Sequence, residues 1–271
     1  MCRLGGISRA GFYRYLEAAT PQRADADLRD AIHRIALAHK AYGYRRVTAT
    51  LKRQGIAVNG KRVLRLMRQD NLLCLRKAGF VPKTTDSRHG FRILPNLIRD
   101  LIPSAIDQIW VADITYIRLQ EAFVFLAIVL DAFSRMIVGW ALEEHLRAEL
   151  PLKALAMAIA KRKPPPSSLI HHSDRGVQYA CADYAAVLQA HAIAASMSGV
   201  GNPYDNAKAE SFMKTLKHEE VNGKAWRTIS DVRHDIAHFL EITYNRQRLH
   251  SALGYRPPIE FEAELAHSPN H

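Results

Sequence analysis

Three carboxylates lie where a folded chain could bring them into one site. Asp113 interrupts the apolar stretch WVADITYI, and Asp174 follows the stretch LIHHS at a turn completed by Gly176. Glu210 lies within AKAESFMKTL. Buried carboxylates repel one another unless they are paired or bind a metal. Three together would suit hard divalent cations such as Mg²⁺ or Mn²⁺, which prefer oxygen ligands.

The chemistry open to such a cluster is phosphoryl transfer. Two divalent ions about 3.5–4 Å apart can activate a water or a sugar hydroxyl and stabilise the leaving oxygen. This reaction needs no covalent protein nucleophile, and the sequence has neither a nucleophile-elbow motif nor a P-loop pattern.

Each carboxylate also has an ordinary structural interpretation. Asp113 could be an edge-strand residue, Asp174 a turn former and Glu210 a solvated helix residue. The 35 residues between Asp174 and Glu210 prove little in a chain with 14 Asp and 12 Glu. Asp131 also ends an apolar stretch, but the following Phe-Ser-Arg indicates turn initiation instead of chemistry.

The elements that would position these carboxylates alternate between strands and helices. Three β-rich stretches come first, and helices and short strands then alternate, which predicts a mixed sheet flanked by helices. The predicted strands are IWVADITYIRL, AFVFLAIVLDAF, RMIVGWALEE, SSLIHHS and AIAASMS; the predicted helices are residues 150–162, 178–190, 202–220 and 229–250.

The helix predicted over residues 202–220 would carry Glu210. Asn202 can cap it and Pro203 suits its first turn. An apolar stripe at helical spacing would face the core, and Glu210 lies at its edge. The stripe is Ala209, Phe212, Met213 and Leu216; the polar residues beside it are Asn206, Lys214 and Lys217.

The positive charge of the chain lies in its N-terminal part. The net charge is +12, but residues 1–100 contain 21 Lys/Arg against 7 Asp/Glu, whereas residues 101–271 contain 17 against 19. This asymmetry favours a polyanionic partner, most commonly nucleic acid. A merely solvated basic surface is the alternative.

Residues 26–71 predict three short helices, the last of them basic. Val63, Leu66 and Met67 can face inward, while the basic side chains of this helix lie outside. Such a module resembles what a helix-turn-helix needs to contact DNA phosphates, and a small helical bundle with a charged face is the alternative. The candidate DNA-binding residues are Lys61, Arg62, Arg65 and Arg68.

Composition argues against several other protein classes. The longest strongly apolar stretch, Phe123 to Leu130, is too short to cross a bilayer, and the first residues do not resemble a signal peptide, so we expect a cytoplasmic protein. The three cysteines are far apart and suggest neither a disulfide framework nor a CxxC site. His33 and His39 lack a cysteine pair, so we expect no structural zinc.

Five motifs in order resemble those of a known family. They are WVADITYI, LDAFSRMIVGW, HHSDRGVQYA, SMSGVGNPYDNAKAESFMKTLKHEE and YNRQRLHSALGYRPPIEF. Together they resemble the OrfB-type transposases of bacterial insertion sequences with two reading frames, whose catalytic core belongs to the retroviral-integrase-like DDE superfamily. The resemblance covers about residues 108–262, and YGYRRV resembles the preceding helix-turn-helix segment.

The resemblance implies the fold and the site. It implies a ribonuclease-H-like, mixed five-stranded sheet flanked by helices, preceded by a small all-α helix-turn-helix domain. Asp113, Asp174 and Glu210 would be the catalytic residues and the ligands of Mg²⁺ or Mn²⁺, as two ions. Lys217 would meet DNA near the scissile phosphate, and Lys214 is a second contact candidate. Arg175 and His172 would touch a phosphate or support the turn around Asp174.

The resemblance also implies an activity, partners and a domain order. Hydrolysis at an element end would free a 3′-hydroxyl that attacks a second phosphodiester. Partners would be terminal-repeat and target DNA, the OrfA product as a frameshift fusion, and further copies on DNA near the nucleoid. A nuclease of the same fold and a non-catalytic DNA-binding regulator are the alternatives. The expected order is a partial helical segment (1–25), the DNA-binding domain (26–77), a linker (78–106) and the catalytic core (107–265).

Overall fold

The computed structural model describes residues 8–13, 25–73, 94–199 and 206–267. The chain forms two compact units, residues 1–75 and 76–271. Most of the predicted linker, residues 78–93, lies outside the described residues, as do Asn202 and Pro203.

The first unit contains three consecutive helices. They are α1 (Ala26–Ala38), α2 (Tyr44–Arg53) and α3 (Gly60–Gln69). The Asn59 side chain caps α3 by accepting the N–H of Lys61 at 2.8 Å, which satisfies a donor in the first turn. Val63, Leu66 and Met67 are buried, so the predicted inward face of α3 is confirmed.

The second unit is built on one mixed five-stranded sheet. Its strand order is β3-β2-β1-β4-β5. The first three strands form an antiparallel meander because short connections join them, while β4 and β5 run parallel to β1 after helical crossovers. The strands are β1 (Ile109–Arg118), β2 (Phe123–Asp131), β3 (Ile137–Glu143), β4 (Ile170–Ser173) and β5 (Ala194–Met197).

Helices cover both faces of this sheet. One face packs against α4 (Glu149–Arg162), α5 (Val177–Ala180) and α6 (Ala182–Ala190). The other packs against α7 (Ala207–Leu216) and α8 (Ile229–His238). The last helix is α9 (Pro258–His267). The ribonuclease-H-like, helix-flanked sheet predicted from the sequence is therefore confirmed.

Two predicted helices differ in detail. The helix predicted over residues 178–190 is two helices, because Cys181 between α5 and α6 has an extended backbone. The helix predicted over 229–250 is α-helical only to His238 and continues as wider π-helical turns over Phe239–Gln247. The described part of the helix that carries Glu210 begins at Ala207, and π-helical turns extend it over Lys217–Val221.

Buried polar contacts tie the end of the chain to the sheet and to α7. Asn245 accepts the N–H of Ile137 and donates to its carbonyl, both at 2.9 Å, and so joins the π-helical segment to β3. Arg248 holds Glu219, just after α7, through two hydrogen bonds of 2.7 and 2.9 Å. The motif YNRQRLH thus positions elements around the candidate site.

No helix among the described residues is long and apolar enough to cross a membrane.

Candidate active site

Asp113 lies in the middle of the central strand β1. Its neighbours Ile109, Val111 and Ile117 pack toward α7 and α8, and the two-residue period of a strand directs Asp113 to the same face. The N–H of Ile114 donates to Asp113 Oδ1 at 2.8 Å. The side chain is therefore held beneath α7, where Glu210 is also located.

Like charges surround Asp113. Burial raises the pKa of Asp113 to about 7, and the negative charges of Asp174 and Glu210 act in the same direction. The positive charge of Lys217 and the hydrogen bond from Ile114 oppose this rise. The fold therefore brings the three predicted carboxylates and the predicted lysine within electrostatic reach of one another.

Asp174 is held by the turn that follows β4. The N–H of Gly176 donates to Asp174 Oδ1 at 2.9 Å, and a Cβ atom at Gly176 would lie 3.0 Å from the same oxygen. Arg175 Nε donates to the Ser198 carbonyl at 2.7 Å. The turn at the carboxyl end of β4 thus fixes Asp174 next to β1, because β1 and β4 are neighbouring strands. Open α/β sheets bind ligands at the carboxyl ends of their strands.

Glu210 lies in the first turn of α7. Ala209, Phe212, Met213 and Leu216 are buried against the sheet, which confirms the predicted apolar stripe. The Glu210 side chain is 40% exposed, and its Oε2 lies 3.8 Å from Nζ of the exposed Lys214. The pair is weak because water screens both charges.

Lys217 and Lys214 differ in their surroundings. Lys217 Nζ lies 4.5 Å from the centroid of the Tyr116 ring, and burial lowers the pKa of Lys217 while the charge of Asp113 opposes this. Lys214 is 81% exposed. The DNA contacts of both remain predictions, and Lys217 is the one held against the carboxylates.

The carboxylates do not form a closed cage. Among the described residues, no three His, Cys, Asp or Glu side chains lie close enough to enclose a metal ion. The set offers only oxygen donors, which fits Mg²⁺ or Mn²⁺ and argues against a thiolate-type zinc site.

Asp131 contrasts with Asp113. Its Oδ1 accepts the Phe133 N–H, the Ser134 N–H and the Ser134 hydroxyl at 3.0, 2.7 and 3.0 Å. Its Oδ2 accepts the Asp107 N–H at 2.7 Å. The side chain is wholly buried and builds the β2–β3 turn, as the sequence indicated.

His172 supports the turn and does not line a surface. It is completely buried, and its ring nitrogens contact the hydroxyls of Ser196 and Ser198 at 2.8 and 3.0 Å. A phosphate cannot reach a side chain in this position. Of the two roles considered for His172, the phosphate contact is contradicted and the structural role fits.

The four basic candidates of α3 form two pairs. Arg62 Nε donates to Asp25 Oδ1 at 3.0 Å, and the guanidinium of Arg65 lies 3.3 Å from Asp25 Oδ2. All four residues are exposed, but Lys61 and Arg68 have no ion pair among the described residues. Arg62 and Arg65 therefore stabilise their own unit, and Lys61 and Arg68 are the better candidates for DNA contact.

Two further residues, Asn206 and Tyr179, lie near the carboxylates. Asn206 is buried, and its Nδ2 donates to the Ala112 carbonyl at 3.1 Å, which ties the start of α7 to β1 one residue before Asp113. Tyr179 packs edge-on against Tyr184, and both Tyr179 and Asp174 line one small cleft. Spacing alone does not reveal these long-range contacts.

Both units match known domain families. Residues 22–79 match the HTH-like domain family. Residues 103–203 and 191–258 match two families, each described as an integrase core domain. Among solved structures, the fold is similar to a chain of a simian T-cell lymphotropic virus intasome in complex with PP2A regulatory subunit B56 gamma. That match has 17% identity and a TM-score of 0.47, and it covers 89% of this chain and 75% of that one.

Two relatives align over nearly the whole chain. The "Insertion element IS600 uncharacterized 31 kDa protein" of Shigella sonnei is 39% identical, with 96% of this chain and 97% of that protein covered. "Transposase InsF for insertion sequence IS3A" of Escherichia coli (strain K12) is 35% identical, with 97% and 92% covered. The chain therefore belongs to the insertion-sequence transposases that combine an HTH-like domain with an integrase core domain.

Proposed function

We propose that this transposase cuts the 3′ ends of its insertion sequence and joins them to target DNA at a site built from Asp113, Asp174 and Glu210. The observation that carries the proposal is the electrostatic convergence of these three carboxylates on the face of β1 that α7 covers. Asp131 lacks this role because its oxygens are occupied by donors of its own turn.

The three carboxylates would hold two divalent ions, Mg²⁺ or Mn²⁺. Half-buried carboxylates in mutual repulsion are a donor set that a divalent cation would stabilise. When bound, such ions lower the pKa of an attacking water and stabilise charge on the leaving oxygen. We propose no structural zinc in either unit.

The remaining residues of the site would bind and orient DNA. Lys217, held over Tyr116, would contact a phosphate beside the carboxylates, and Lys214 and Arg175 would contact flanking phosphates. Lys61 and Arg68 would bind the backbone away from the core. Such contacts position the strand but do not read its sequence.

Assembly follows from the reaction. Two element ends must be joined in one complex, so we propose a homo-oligomer on DNA at the nucleoid. By resemblance, a fusion with the OrfA product would supply recognition of the terminal repeats.

A strand-transfer assay tests this proposal. The OrfA–OrfB fusion would be incubated with labelled terminal-repeat DNA, a target plasmid and Mg²⁺. We expect cleaved and joined products from the wild type, and a loss of both of at least about a thousandfold in Asp113→Asn, Asp174→Asn and Glu210→Gln. DNA affinity should persist, and Glu144→Gln is the control carboxylate outside the site.

The alternatives give different results. Cleavage without joined product would assign the chain to a nuclease of the same fold. Equal behaviour of the wild type and the three variants would leave a non-catalytic DNA-binding regulator and overturn the proposal.

A further inference from the structure

Two cations lie on the other edge of α7 from Glu210. Arg135 is in the turn between β2 and β3, where its N–H donates to the Asp131 carbonyl at 2.9 Å. Lys208 is in the first turn of α7. Both side chains are half-buried. Lys208 and Glu210 are two positions apart on a helix, about 200° around its axis, so they occupy opposite edges of the buried stripe.

Hydrogen bonds tie both α7 and the β2–β3 turn to β1. Asn206 ties the start of α7 to the Ala112 carbonyl at 3.1 Å. The β2–β3 turn is tied to the same strand, because Ala132 N–H donates to the Ile109 carbonyl at 2.9 Å and Asp131 pairs with Trp110. Both elements are thus fixed to one short stretch of β1.

The carboxylate of Asp131, whose charge acts on both cations, is already engaged in hydrogen bonds. The charge of Asp131 acts on Lys208 and on Arg135. Its oxygens already accept four hydrogen bonds from the turn and from Asp107. Within the described part of the chain, the side chains of Lys208 and Arg135 make no hydrogen bond and no ion pair.

Two other arginines with mostly buried side chains, Arg162 and Arg248, have carboxylate partners. Arg162 contacts Glu262 at 2.6 Å, and Arg248 contacts Glu219 at 2.7 Å. A neighbouring pair of cations without such a partner is costly because desolvation and mutual repulsion add. The helix dipole adds a further cost for a cation in the first turn of α7.

The electrostatics of Lys208 agree with this geometry. Burial, followed by the positive charge of Arg135, lowers the pKa of Lys208 to about 8. The ammonium group remains mostly protonated at neutral pH, so both charges persist in the free protein. A bound anion would remove the repulsion and restore the ordinary preference for the charged form.

We propose that Arg135 and Lys208 form a subsite for one phosphodiester of the DNA backbone, separate from the carboxylate site. A guanidinium and an ammonium group can share the oxygens of one phosphate. The subsite lies across α7 from Glu210, and a helix is about 10 Å wide, so the subsite would bind a different phosphate from the one at the carboxylates. The inference rests on the proposed function, because it assumes that DNA lies along this face.

Salt-dependent binding tests the subsite in the full chain. The variants Lys208→Met and Arg135→Met would be compared with Lys153→Met, which removes the same charge from a lysine paired with Glu143 at 2.6 Å. We expect DNA binding about tenfold weaker than in the control and a salt slope lower by about one. Affinity and slope equal to those of Lys153→Met would overturn the proposal.

A DNA with one neutral methylphosphonate tests the same contact from the other side. Placing it at successive positions near the cleavage point should weaken wild-type binding at one or two positions. At those positions the methylphosphonate should not weaken DNA binding by Lys208→Met, because this variant already lacks the contact. Equal losses in wild type and variant at every position would overturn the proposal.

Thermal unfolding without DNA separates a binding role from a structural one. Because repulsion is relieved, Lys208→Met should unfold at the same temperature as the wild type or higher. A clearly lower temperature would make Lys208 a structural residue and overturn the subsite. Binding is measured independently of cleavage, so an inactive wild type would contradict the proposed function and leave the binding result standing.

Discussion

Two aspartates on neighbouring strands differ at the scale of single hydrogen bonds. Asp131 is wholly buried, and burial raises its pKa, but hydrogen bonds from Ser134 and Asp107 oppose this rise; in all, four donors contact its oxygens, three of them from the adjacent turn. Asp113 accepts one backbone N–H and faces two further carboxylates. We therefore expect Asp131 to stabilise the fold. We expect the charge of Asp113 to destabilise the folded state unless a cation offsets it.

Substitution of these two aspartates should change stability in opposite directions. In metal-free protein at pH 8, Asp113→Asn should raise the free energy of unfolding by about 1–3 kcal/mol, because it removes a poorly solvated charge. Asp131→Asn should lower it by about 1–3 kcal/mol, because its donors lose a charged acceptor. Urea denaturation in a chelator measures both.

Addition of Mg²⁺ is the control for this prediction. It should stabilise the wild type and have little effect on Asp113→Asn, since binding to the native state adds to stability. A loss of stability in metal-free Asp113→Asn as large as that in Asp131→Asn would contradict the interpretation.

At the scale of elements, β4 is held from both sides by adjacent histidines. His172 contacts Ser196 and Ser198 at β5, while His171 Nε2 is hydrogen-bonded to the Tyr184 hydroxyl of α6 at 3.0 Å. The ring of Tyr179 also lies beside His171, at 6.5 Å between centroids. These contacts fix the strand whose end carries Asp174.

The buried His171 should make the core sensitive to acid. Burial, followed by the charge of His172, lowers the pKa of His171 to about 3. Between about pH 6.5 and about pH 3 the unfolded chain binds a proton at this histidine and the folded chain does not. The free energy of unfolding is therefore highest above about pH 6.5 and falls as the pH decreases.

A variant without this titration should lose part of the acid sensitivity. We expect His171→Gln to be less destabilised than the wild type between pH 6.5 and 4 by on the order of 3 kcal/mol, measured by urea denaturation at several pH values. The exposed His191→Gln is the matched control. An unchanged pH dependence in His171→Gln would refute the prediction.

At the scale of the whole molecule, the two units differ in charge. Residues 1–100 carry most of the positive excess, but the fold of the first unit uses part of it internally. The hydrogen bond from Arg62 lowers the pKa of Asp25, which also contacts Arg65. Net charge therefore overstates the number of cations available to DNA.

Matched double substitutions on α3 should separate these roles. Lys61→Gln with Arg68→Gln should lower the salt slope of DNA binding by about two and leave thermal stability unchanged. Arg62→Gln with Arg65→Gln removes the same charge but should lower the unfolding temperature, because Asp25 loses both partners. Equal effects of the two pairs on stability and on slope would show that α3 has no dedicated DNA face.

Local sequence patterns accounted for most elements of this fold. Runs of β-branched and aromatic residues predicted β1, β2 and β3, and helical spacing predicted α3, α4 and the stripe of α7. The break at Cys181 and the π-helical turns after α7 and α8 were missed, because packing against the sheet decides such irregularities and periodicity does not record it.

By itself, the sequence determined the family, the mixed sheet and the identity of the candidate carboxylates, since motifs and periodicity are local properties of the chain. Only the tertiary structure showed the different surroundings of Asp113 and Asp131, favoured support of the turn over a phosphate contact for His172, and paired Arg62 with Asp25. It also brought Arg135 and Lys208, 73 positions apart in sequence, beside the same stretch of β1. The physical reason is that desolvation and hydrogen-bond saturation depend on neighbours distant in the chain.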